Sequence, residues 1–430
     1  MDSDRTARTS LLFELTAALQ RVGTGTARVE ETLGAVAQAL GFPDSVFFAL
    51  PDSVFATLEV DGETITRLIP APGGDVDLGQ LDALRSLSGR LVHGAVTVDG
   101  ARRELADLAT APRLWSARAV ISSFAFVSVG AALLFGGGPI EAVAGGVVGG
   151  GIGWLAEHAG RWRLGRLFEV LAASWAALIA AVGAHAGGAA DVTVLSGLIV
   201  LVPGFTIHRG MTDLSTGHLV SGTIRMAVAG TALLLMGFGV ALGTAVATGL
   251  LGAPPAHAAP GGPLWLPTAS IVAITPALLV LFRARLADAP AALGSVLIAW
   301  FGSIGGARLL GPELGAFVAA LAVGLYANAW SRRTDRPSAL PLAPGLLLLV
   351  PGAVGFKGVA ALLGGDPLVA VQTGFSALLV AAALVCGLLV ANLVAPLTAR
   401  RERRPVGAAA PASVGPRGPT SSSDPPTRAA

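Results

Sequence analysis

Hydrophobic and polar positions divide the chain into three stretches. Near the N-terminus, Leu11, Leu12, Leu15, Ala18, Leu19 and Val22 recur at helical spacing, and Val29, Leu33, Val36, Ala37 and Leu40 repeat the pattern after a GTGT break. Three β-rich pieces follow, SVFFAL, SVFATLEV and TITRLIP, with Asp61-Gly62 as a hairpin signal between the last two. Helical patterns return near 78–92 and 97–109, so residues 1–112 are expected to form a small α/β domain. Residues 401–430, rich in Pro, Ala and Ser, predict a disordered tail.

Between these stretches the apolar residues run almost unbroken. A membrane-spanning helix needs about 20 of them. Ten runs come near that length: 116–135, 139–157, 167–187, 192–207, 219–250, 267–283, 290–307, 314–331, 340–356 and 368–395. The fourth and ninth are short and interrupted by proline. With the N-terminus inside, fifteen basic residues fall in inner segments and two, Arg308 and Lys357, in outer ones. That asymmetry is the positive-inside rule, and it puts both termini and residues 1–112 in the cytoplasm.

Composition agrees. Only 13% of residues are charged, against about 25% in soluble domains. That argues against a cytosolic enzyme, and a net charge of +2 argues against a nucleic-acid partner. The polar N-terminus gives no expectation of a cleavable signal peptide. The single cysteine, Cys386, excludes an intrachain disulfide or a thiolate cluster, and no spacing calls for a metal or cofactor.

A repeat lies inside the membrane stretch. SGLIVLVPGFTIHRG (196–210) matches PGLLLLVPGAVGFKG (344–358) at a constant offset of 148 positions. Pro203 and Gly204 align with Pro351 and Gly352, Arg209 with Lys357, and Gly217 with Gly365. The repeat unit is five helices. An odd number places the second half upside down, giving inverted repeats over 113–256 and 257–400. Proline removes a backbone donor, so each Pro-Gly pair predicts a broken helix whose freed groups face protein, water or substrate. Two such breaks near the midplane point to a substrate site, though both prolines could merely kink packing helices.

These stretches resemble the bacterial threonine/serine exporter family. The likeness rests on GTGTARVEETLGAVAQALGF and TITRLIPAPGGDVDLGQLDALRSL in the first part. In the membrane part it rests on LFGGG, LVPGFTIHRGMTDLSTGHLVSGTIR, LAVGLYAN and PLAPGLLLLVPGAVGFKG. The resemblance implies export of small hydroxylated amino acids driven by proton motive force. Related members are linked to dicarboxylate export, which leaves the substrate open.

Several polar residues could carry the chemistry. Arg225 lies six residues into the fifth run, roughly 9 Å along a helix. There it could hold a substrate carboxylate or snorkel to the surface. Asp213, His208, Arg209 and His218 form a titratable group at the inner end of the fourth and fifth runs, either a proton-linked gate or an ordinary charged loop. Gln372 and Asn328 could bind substrate or join helices. Glu141, Glu157, Glu169, Asp191, Glu313 and Asp366 lie near helix ends, with Glu169 a natural partner for Arg166. After Gly23, Arg28 and Glu30 open the second helix and could bind a ligand or dock onto the membrane part, with Thr24 or Thr26 as its N-cap.

The expected protein is therefore an α-helical polytopic transporter of the bacterial inner membrane, not an enzyme. About ten helices in two inverted five-helix repeats follow a cytoplasmic α/β domain. Its partners would be a small substrate such as threonine or serine, the bilayer and, optionally, further copies of itself. A membrane sensor whose first 112 residues bind a ligand is the rival from another class.

Overall fold

The computed structural model describes residues 2–60, 62–71, 76–349, 352–363 and 365–402. The N-terminal unit contains helices α1 (Asp2–Arg21) and α2 (Thr26–Ala39), strands β1 (Val46–Ala49), β2 (Ser53–Val60) and β3 (Glu63–Pro70), and helices α3 (Leu78–Val92) and α4 (Val98–Thr110). The strands form an antiparallel meander in the order β1-β2-β3. Val60 opposes Glu63, and Gly62 takes φ +80° in the two-residue connection; Asp61 lies outside the described residues. Leu11, Leu12, Leu15 and Leu33 are fully buried against Val54, Ala56 and Leu58 of the sheet's inner face. Asp77 caps α3 by accepting from the Gln80 N–H, and Thr97 caps α4 by accepting from Gly100.

The apolar part continues with α5 (Ala117–Leu134), α6 (Pro139–Trp162), α7 (Leu167–His185), α8 (Ala190–Leu198), α9 (Gly204–Ser215) and α10 (Leu219–Leu251). The segment 252–265 then runs without helix or strand, held to the α5–α6 turn by the Gly261 N–H donating to the Gly136 carbonyl at 3.0 Å. Beyond it come α11 (Leu266–Leu281), a 3-10 turn (Leu286–Asp288), α12 (Ala289–Leu310), α13 (Pro312–Thr334), α14 (Ala339–Leu349), α15 (Gly352–Leu363) and α16 (Pro367–Glu402).

Among the described residues, eight helical segments are long and apolar enough to cross a membrane, not ten. The fourth run does not qualify because it divides into α8 and α9. The sixth forms α11, which is only 16 residues long. The ninth counts as the segment Ala339–Val359. The chain is thus a polytopic membrane protein, with Phe126, Val143, Leu234, Phe238 and Phe375 among the large apolar side chains left on its outer surface.

The two halves share helix-end geometry. Positive-φ residues recur at the 148-position offset: Arg163 and Gly311, Gly187 and Asp335, Gly217 and Gly365. Packing recurs as well. α7 lies along α10 as α13 lies along α16; α9 lies on α10 as α15 lies on α16; and across the halves α10 touches α15 while α16 touches α9.

Small residues set the helix spacing, as expected where lipid offers no hydrophobic drive for association. Ala173, Ala176, Ala177 and Ala180 of α7 are buried at this packing surface. A Cβ added to Gly239 of α10 would stand 2.5 Å from the Val170 carbonyl and 2.8 Å from Ala173 Cβ, whereas Gly249 on the same helix has open space. Gly239→Val should therefore lower the yield and melting temperature of the folded membrane protein, and Gly249→Ala should leave both unchanged. Size-exclusion and thermal-unfolding measurements on the purified chain check the pair.

Candidate functional site

The fourth run breaks for a local reason. Leu201 N–H donates to the Leu198 carbonyl at 2.8 Å, closing α8 with a tight turn. Pro203 has no N–H with which to continue. Its carbonyl instead accepts from Ile207 at 2.9 Å and starts α9. Gly352, the first residue of α15, meets this break. A Cβ built on Gly352 would stand 2.5 Å from Val202 Cγ1 and 3.3 Å from Gly204 Cα, so the start of α15 touches the fourth-run break where both residues are glycine. Gly204 and Gly352 are both buried; Pro351 lies outside the described residues.

The titratable residues gather below this crossing. Arg209 stacks over the Phe205 ring at 4.5 Å. His208 is buried, and its Nδ1 has no hydrogen-bond partner. One turn further on, Asp213 is buried and binds twice. Its Oδ2 accepts from Arg225 Nε at 2.9 Å and from the Thr26 hydroxyl at 3.1 Å. Arg225 therefore already holds a resident carboxylate, in a pair whose side chains are only 13% and 5% exposed.

Thr26 belongs to the N-terminal unit, and its neighbours complete the seat. Glu30 accepts from the Ala49 N–H at 2.9 Å and pairs with His218 Nε2 at 3.0 Å. The Nδ1 of His218 lies 3.1 Å from the Thr216 hydroxyl. The Ser221 hydroxyl donates to the Ala49 carbonyl at 2.8 Å. Of the two uses open to Glu30, docking is the one the structure displays. Neither Thr24 nor Thr26 caps α2; Gly25 occupies that position, and the hydroxyl of Thr26 is spent on Asp213.

A second seat holds the unit to the other half. Arg336, between α13 and α14, donates to Asp82 of α3 at 3.1 Å and to Asp288 at 3.3 Å. Its hydrogen bonds to Asp288 raise its pKa beyond the ordinary arginine value, so the charge is permanent. Leu78 N–H donates to the Phe282 carbonyl at 2.9 Å, and Asp77 lies 3.6 Å from Arg283.

The remaining candidates are dispersed. Asn328 donates to the Ala391 carbonyl at 3.3 Å and to Asn392 Oδ1 at 3.0 Å, fastening α13 to α16. Gln372 is exposed on α16. Gly23 ends α1 with φ +73°. Arg28 is exposed and lines a cleft of about 740 Å³ between α2, α3 and the α13–α14 connection. Glu141 is buried and accepts from Gly138 and Ala189 N–H groups at 2.7 and 2.6 Å, a structural cap, and Glu169 lies 3.5 Å from Arg166. Ser221, Asp82, Asp288 and Arg336 were not singled out as site residues from sequence, and Thr26 was expected only as a cap; each depends on a partner far along the chain.

A bundle of long apolar helices, with a broken helix inside it met by an arm of the other half, is the architecture of a multi-pass membrane transporter. Comparison with known proteins gives the family. Residues 10–247 match the family model described as "Putative threonine/serine exporter", and residues 268–394 match "Threonine/Serine exporter, ThrE". The chain belongs to the threonine/serine exporter family. It is 28% identical over 385 residues to a "Probable threonine/serine exporter" of Mycobacterium tuberculosis, covering 83% of this chain and 71% of that one. It is 25% identical over 375 residues to a "Pheromone-regulated membrane protein 10" of Eremothecium gossypii, covering 83% of this chain and 49% of that protein. No solved structure matches the chain.

Removing one partner of a buried ion pair costs about 3–5 kcal/mol, because the other charge stays buried. Asp213→Leu and Arg225→Met should therefore each destabilise the full chain severely. The double variant Asp213→Leu/Arg225→Met should be milder than either single change. Thermal unfolding of the four proteins in detergent closes the cycle.

Proposed function

We propose that the protein exports L-threonine and L-serine across the bacterial cytoplasmic membrane by alternating access of two inverted five-helix repeats. The observation that carries this reading is the contact of Gly352 with Val202 and Gly204, where the start of α15 meets the break of the fourth run inside the bundle. Freed backbone groups at such a crossing can take a polar solute where lipid could not. The shared offset of positive-φ residues supports the repeat, and the odd number of runs per unit supports its inversion.

The arginine-rich connections support a cytoplasmic position for the N-terminal unit, which is seated on the α9–α10, α11–α12 and α13–α14 connections. In this reading the unit is a gate support. Arg225, Asp213, His208, Arg209 and His218 belong to the gate, while the crossing at Pro203, Gly204, Pro351 and Gly352 belongs to the cargo. Arg225 has Asp213 for a partner, so the cargo's carboxylate must look elsewhere for a cation. Proton motive force is the drive that the family resemblance implies.

Efflux tests the reading. Cells lacking their own exporters, loaded with threonine- and serine-containing dipeptides, should release both amino acids faster with this protein than with an empty vector, and a protonophore should abolish the difference. Release of succinate alone would replace the amino acids by a dicarboxylate. Absence of all release from folded protein would favour a sensor.

A further inference from the structure

A cavity of about 620 Å³ opens at the end of the bundle away from the N-terminal unit. Its wall is largely alanine, valine and leucine, but Asp191 at the start of α8, Thr244 of α10 and Lys357 of α15 also line it. Asp191 and Lys357 are exposed. Among the described residues neither has a hydrogen-bond or ion-pair partner. An ammonium in apolar surroundings is costly unless it meets an anion or water, and it marks a functional site by default. Here a cation and an anion that no described side chain neutralises share one cavity with a hydroxyl.

The repeat gives Lys357 a counterpart. It stands five residues after Gly352, as Arg209 stands five residues after Gly204. Arg209 is stacked on Phe205, whereas Lys357 faces the open cavity.

We propose that this cavity is a binding subsite for a small zwitterion, an α-amino acid on its way out. Lys357 takes the carboxylate, Asp191 the ammonium, and Thr244 a side-chain hydroxyl. The proposal rests on the exporter reading and adds to it the cation that Arg225 does not supply. A carboxylate on a lysine is a charge-assisted hydrogen bond. By the same chemistry, a dicarboxylate would use Lys357 and have no use for Asp191.

The test uses the full chain in the efflux assay, with membrane insertion measured for every variant. Lys357→Ala should cut threonine and serine export about 10- to 100-fold, the range for losing a charged hydrogen bond, and Lys357→Arg should restore most of it. Asp191→Asn should lower export of both amino acids. A second readout is independent of flux. With Cys386→Ser as background, Ala259→Cys at the cavity rim should react with an impermeant thiol reagent added outside, and external threonine should slow that reaction.

Wild-type export rates in both Lys357→Ala and Asp191→Asn would overturn the proposal, as would labelling that threonine leaves unchanged or that occurs only from the cytoplasmic side. If Lys357→Ala fails to insert, the labelling decides alone. A wild-type chain that exports neither amino acid would remove the exporter reading itself. That result differs from export that continues without Lys357 and Asp191.

Discussion

A backbone group freed inside a membrane has to be paired by protein or water, and the interruption after Leu198 concentrates that demand in one place. Pro203 cannot donate, so the chain closes α8 with a tight turn and restarts as α9. Such a segment has to be shielded from lipid. Part of the shield is the start of α15, which comes so close that a Cβ on Gly352 would stand 2.5 Å from Val202 Cγ1. Much of the membrane bundle follows from this contact. α10 reaches across to α15 and α16 to α9, so each arm is flanked by a long helix of the opposite half.

The N-terminal unit obeys a second rule, that buried charge must be matched. Its seat on the first half is built around one carboxylate, Asp213, shared by a buried arginine and a hydroxyl from α2. Its seat on the second half is built around one guanidinium, Arg336, shared by two carboxylates. The two seats have opposite central charges and lie on different halves. One small unit is therefore sensitive to the position of both, and relative movement of the halves has to be felt in at least one of these charge clusters.

Much of this was legible along the chain. Periodicity located α1 to α4, β1 and β2 because each buries one face; β3, of which only Ile69 is buried, was legible from its β-branched residues and the Asp-Gly turn before it. Length located α5, α6, α7, α10, α12, α13 and α16 because the membrane demands it. The Pro-Gly pair announced the break in the fourth run. It did not announce α9, because FTIHRGMTDLS is polar and its apolar face is completed by α10 and α16 rather than by its own pattern. Span count suffered for the same reason, since a run of apolar residues does not show whether its helix is continuous. Arg225 and Asp213 stood out as charges near a membrane segment, but their mutual pairing twelve positions apart, and the arrival of Thr26 from 187 positions away, have no local signal. Asp191 and Lys357 were visible one at a time, and only the folded arms bring them to one cavity.

The connection between the halves has a consequence for how such a protein can be encoded. Residues 252–265 carry no regular structure, and among the described backbone hydrogen bonds Gly261 to Gly136 is the one that ties them to a distant part of the chain. What joins the halves is elsewhere: the side-by-side packing of α5 and α11, the crossed arms, and the N-terminal unit astride both. Helices that are each stable in the bilayer associate by packing rather than by tethering. The covalent link is thus a convenience of synthesis. A gene interrupted at this segment would yield two polypeptides that still carry, between them, every surface needed to find one another.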